Sequence, residues 1–139
     1  MTVSVEELFQ ATVKRYEAGE AAVTLIPDFV EICKQSTKLS AAWTCLSWLY
    51  LLEQQPEAAF KAAQKAVNLD RVDAQPRVNL ALAMLETGRK GVRDQVEMIQ
   101  GILISDNEQI DLVKANIQEG RKRRADWTQL SKIEQWLFN

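Results

Sequence analysis

The side chains that most often carry out chemistry are thinly supplied in this sequence. Histidine is absent, which excludes a Ser-His-Asp triad, a Cys-His dyad, an imidazole general base and His-ligated zinc or haem. The two cysteines, Cys33 and Cys45, are spaced neither as a C-x-x-C pair nor as a zinc set. Both fall within helical patterns and read as small buried thiols in a reducing compartment. Carboxylates such as Glu6, Glu7, Glu17 and Glu20 stand at helix starts or on polar faces, where capping and solvation account for them. No phosphate-cradling Gly-rich loop, G-x-S-x-G elbow or metal-ligand spacing occurs. The expectation is a chain without catalysis, cofactor or metal.

Binding chemistry is better represented. Arg121-Lys122-Arg123-Arg124 is the densest charge run, and Trp127, Trp136 and Phe138 follow it. Basic residues beside such aromatics suit an acidic partner or an anionic bilayer surface. The plainer reading is four solvated cations at a helix C-terminus, where the macrodipole favours them. A short run on a chain of net charge −2, without aromatic interleaving, does not predict nucleic-acid binding.

The elements that position these groups follow from composition and pattern. The sequence has 139 residues, 47% hydrophobic and 26% charged, which fits one folded domain. Only 5 Gly and 3 Pro punctuate it, favouring long helices over many short strands. Glu6 and Glu7, with no basic residue before them, are unlike a secretory or transit signal. No stretch approaches the roughly 18 uncharged apolar residues of a spanning helix, so a cytoplasmic protein is expected. Ser4 and Glu7 form a capping box before the first helix. Pro27, suited to a first turn, predicts that the second helix starts after Thr24. A third opens at Ser40 and a fourth at Pro56. Asp73 and Gly91 open the next two; Ser105 and Glu108 suggest a box for a helix ending at Gly120. Asp126 and Gln129 frame the last.

Residues 40 to 71 resemble the tetratricopeptide repeat, a 34-residue helix–turn–helix unit with W-x2-L-G-x2-Y followed by A-x3-F and P. Trp43, Leu46, Ser47 and Tyr50 match its first helix, and Ala59 and Ala66 its second, while Ala63 and Arg71 replace the aromatic and the proline. Shifting by 34 gives the degenerate stripes Arg77, Leu80, Ala81, Met84 and Phe9, Thr12, Val13, Tyr16. The resemblance implies an all-α, right-handed α-solenoid of three helix pairs (about 4–37, 40–73 and 74–104) in one domain. Two C-terminal capping helices, about 105–120 and 126–138, would complete it.

In such an array the first helix of each pair lines a concave face. Thr44, Trp48 and Leu52, with Val78, Asn79, Leu82 and Leu85 one unit later, would make that face apolar, and Gln75 and Lys14 would add polar contacts. The implied function is capture of a peptide or helix of another protein by a scaffold, adaptor or assembly factor. Trp48 would be the aromatic anchor. The alternative is that the C-terminal helix folds back and covers Trp48 and Leu82 itself. Asn79 stands where chaperone-binding members carry a carboxylate-clamp asparagine, but the accompanying cations are missing. The runs Ala41 to Tyr50 and Asp126 to Phe138 are similar to short repeat proteins of photosynthetic bacteria, some of which assist photosystem assembly. A peripheral membrane role through the basic, aromatic C-terminus and self-association through the array end are the other expectations.

Overall fold

A computed structural model describes residues 3–139, which form eight helices and no strand. They are α1 (Val5–Glu17), α2 (Ala22–Gln35), α3 (Ser40–Leu52), α4 (Pro56–Leu69), α5 (Ala74–Thr87), α6 (Val92–Ser105), α7 (Glu108–Arg123) and α8 (Thr128–Phe138). Helices α1 to α6 pack consecutively, each on the next. One core runs through the structure, from Leu25 and Phe29 through Leu49 and Leu82 to Ile117 and Ile133.

Local chemistry explains most boundaries. The Ser4 hydroxyl accepts the Glu7 N–H at 3.1 Å and starts α1. Pro56 occupies the first turn of α4, where a missing N–H costs no helical bond. Gly88 ends α5 in the left-handed conformation, φ 70°. Small residues let α3, α4 and α5 approach closely: Ala59, Ala62, Ala66, Ala74 and Ala81 are all buried.

Three sequence expectations need correction. α2 begins at Ala22, not after Thr24, so Pro27 lies inside it. Its exposed ring faces solvent, and burial of Ala22 and Leu25 holds the first turn despite the lost bond. The Ser105–Glu108 box does not form: Ser105 ends α6, and Asn107 precedes α7. Gly120 does not end α7, which continues to Arg123. The glycine serves a close approach instead.

The last two helices depart from consecutive stacking. α3 packs broadly on α2, and α5 on α4, but α7 has little contact with α6. Single residues of α7 also reach α5, α3 and α1: Asn116 bonds Gln75, Gly120 approaches Trp48, and Arg123 bonds the Tyr16 carbonyl. α8 packs on α5 and α6 with Leu130 and Ile133 fully buried.

Candidate functional site

Helices α3 and α5 bring Thr44, Trp48, Gln75 and Asn79 together around a cavity of about 110 Å³ with largely apolar walls. Val13, Tyr16, Phe29, Cys45 and Leu49 complete most of its lining. The remaining wall comes from Asn116 of α7. The face is therefore occupied by the chain's own C-terminal segment rather than open to solvent. The physical reason is apolar: Trp48, Val78 and Leu82 present a stripe that α7 and α8 can bury within the same molecule.

Trp48 is the centre of this packing and is only 7% exposed. Its Nε1–H donates to the Tyr16 hydroxyl at 2.9 Å. The Trp127 ring lies against it, centroids 5.4 Å apart at 42°, and Gly120 approaches its edge. Burial pushes the Tyr16 phenol above its ordinary value and keeps it neutral, able to accept from the indole.

An amide relay ties α7 to the other helices. The Asn116 side-chain N–H donates to Gln75 Oε1 at 2.9 Å, and Gln75 donates to Asn79 Oδ1 at 2.9 Å. Asn79 donates onward to the Ser47 hydroxyl and the Thr44 carbonyl. Asn79 is fully buried with its amide engaged, as a polar group away from water must be. Nearer the start of α7, Gln109 accepts from the Ala74 N–H at 2.6 Å and donates to the Val72 carbonyl.

The other predicted groove residues divide. Leu52, Val78 and Leu82 are buried in the core, Leu85 is half-buried, and Lys14 is exposed. They do not form an open surface with Trp48.

The basic run is also committed within the fold. Arg123 donates to the carbonyls of Tyr16 and Glu20 and pairs with Glu119. Arg124 donates to the Leu51 carbonyl and pairs with Glu86, which also accepts from Trp127 Nε1. Consecutive arginines thus cover the carbonyl ends of α1 and α3, where a cation is attracted to the negative end of the helix dipole. Arg121 pairs with Glu134 on α8. Lys122 alone of the four is exposed. Trp127 is buried, and Phe138 lies under Lys114, which leaves Trp136 as the exposed aromatic of that group. Three of the four cations of the expected acidic-surface contact therefore bind helix ends or carboxylates of this chain.

Sequence reasoning gave Gly120 the wrong role and missed Asn116, Glu86 and Gln109. One available signal was α3 itself, SAAWTCLSWLYLL, which is apolar around its whole circumference; such a helix is buried on all sides. Among the described residues no helix is long and apolar enough to cross a membrane. Compared with known proteins, the chain matches no family model and no curated protein.

Proposed function

We infer that this chain is a non-catalytic protein-binding module of tetratricopeptide type, and that α7 is an internal stand-in for a partner helix. Helix starts at Ser40 and Ala74, 34 residues apart, support the repeat reading. The observation that carries the function is the course of α7. Its residues reach α5, α3 and α1, and polar groups that a partner could replace (Gln109, Asn116, and Arg123 and Arg124 at its end) make much of its attachment. A partner helix bearing an aromatic or aliphatic anchor would enter beside Trp48 and exchange with α7. An assembly factor is the form of this function that the resemblance to short repeat proteins favours.

Affinity capture from native lysate tests the idea with three proteins: wild type, an Arg123→Ala/Arg124→Ala double variant and Trp48→Phe. The loosened double variant should capture a discrete partner more strongly than wild type. A synthetic peptide of residues 106–124 should compete for it, and Trp48→Phe should weaken it. Capture indifferent to both the peptide and Trp48→Phe would sink the reading.

A further inference from the structure

On another face, Arg77 lines an open cavity of about 660 Å³ between the α4–α5 turn and the end of α6. This cavity shares no lining residue with the one beside Trp48. Arg77 is 8% exposed, yet among the described residues it forms no ion pair. Its Nε donates to the Arg71 carbonyl at 3.1 Å, and its Nη1 reaches Gln95 Oε1 at 3.2 Å and Met98 Sδ at 3.1 Å. Nη2 has no acceptor among the described residues. Since no fully buried side-chain nitrogen or oxygen there lacks a partner, Nη2 keeps some exposure to solvent, on a residue that lines the cavity.

The charge is surplus to the residue's structural duty. One 34-residue unit earlier stands Trp43, whose Nε1–H donates to the Thr37 carbonyl, six residues upstream. Arg77 makes the same bond to Arg71, also six residues upstream. A neutral indole therefore does this work elsewhere in the chain, without the desolvation cost of a guanidinium. Burial and the neighbouring Arg71 hold the Arg77 guanidinium below its ordinary value, so its surroundings do not favour the cation.

We propose that Arg77 anchors a carboxylate-binding site, taking an aspartate or glutamate from a partner segment whose apolar neighbour packs on Met98 and Val72. A carboxylate supplies the missing opposite charge and can accept from Nη2. Three acids, Asp70, Asp73 and Asp106, also line the cavity. Asp70 Oδ1 accepts the Val72 N–H, Asp106 Oδ2 accepts from Gln109, and burial holds Asp73 above its ordinary value. At longer range these acids repel small free anions, so charge alone is insufficient. Met98 and Val72, 48% and 72% exposed, add the apolar contact that a peptide can use and an inorganic anion cannot.

The Nε–Hε resonance of Arg77, followed by NMR in the full chain, reads the site directly. The capped peptide acetyl-Leu-Glu-Leu-amide should shift it saturably. The glutamine counterpart should bind at least tenfold more weakly, and hexanoate and inorganic phosphate more weakly than the glutamate peptide. Binding of the fluorescently labelled glutamate peptide should be lost in Arg77→Trp, which restores the neutral residue of the preceding unit. It should also be lost in Met98→Asp, which places a carboxylate on the exposed rim. Equal binding of the glutamine peptide, or retained binding in Met98→Asp, overturns the proposal. Phosphate or hexanoate matching the glutamate peptide overturns its assignment to a protein segment.

Discussion

Gly120 and the Trp48 indole make a contact that only a residue without a side chain permits. A Cβ at Gly120 would stand 2.9 Å from two atoms of the Trp48 ring and 3.1 Å from Leu130 Cδ2. Gly120→Ala should therefore destabilise the protein although alanine is the better helix former. Overpacking costs about 1–3 kcal/mol and helix propensity returns up to ~1 kcal/mol, leaving a net loss of up to about 2 kcal/mol. Urea denaturation measures it; an unchanged or raised midpoint would mean that α7 does not rest on Trp48.

The Trp48–Tyr16 bond gives a second expectation. Tyr16→Phe removes the acceptor and leaves a buried indole N–H unpaired, a loss of about 1–3 kcal/mol. Trp48→Ala should cost more, roughly 3–5 kcal/mol, because it opens a core cavity. Melting curves of the two variants against wild type decide the order, and a Trp48→Ala protein as stable as wild type would contradict the burial described above.

The four basic residues should behave unequally. Arg124→Ala leaves Glu86, whose side chain is 7% exposed, with the Trp127 N–H but no cation, and breaking such a buried pair costs about 3–5 kcal/mol. Arg121 and Glu134 form a partly exposed pair, so Arg121→Ala should fall within about 1 kcal/mol of wild type. Lys122→Ala should be nearly silent. Uniform effects across the three would instead indicate a solvated charge cluster.

Stability should fall at both ends of the pH scale. Hydrogen bonds from Arg15 lower the Glu20 carboxyl from an ordinary 4.5 to about 2. Its contribution is present above about 4.5 and lost as pH falls toward 2. Burial raises the Cys33 thiol from an ordinary 9.0 to about 12. Its protonated form is favoured in the fold, so that contribution is present below 9.0 and lost as pH rises toward 12. Chemical denaturation of wild type and Cys33→Ala from pH 8 to 11 should show a shallower alkaline decline in the variant. Parallel curves would contradict the burial effect.

Helix order was legible because each helix carries its own periodic stripe and most carry a local start or stop, as at Ser4, Pro56 and Gly88. Pro27 misled because its first-turn preference is local, whereas burial of Ala22 and Leu25 is tertiary. Thr44, Trp48, Gln75 and Asn79, grouped in sequence by the 34-residue spacing, line one cavity. What covers it was not legible. Gly120 resembles a helix stop in sequence, and only the Trp48 ring reveals why a side chain is excluded there. Arg123 and Arg124 likewise look like a solvated run, because their acceptors are backbone carbonyls more than 70 residues away.

A linear stack of helix pairs unfolds piecemeal, since each unit depends mainly on its neighbours. The bond from Arg123 to the Tyr16 carbonyl spans 107 residues and joins the last pair to the first. Fraying at α1 therefore loosens α7, and loosening α7 uncovers α3 and α5 together. This closure couples α1 to α7, favouring a single all-or-none transition over stepwise melting.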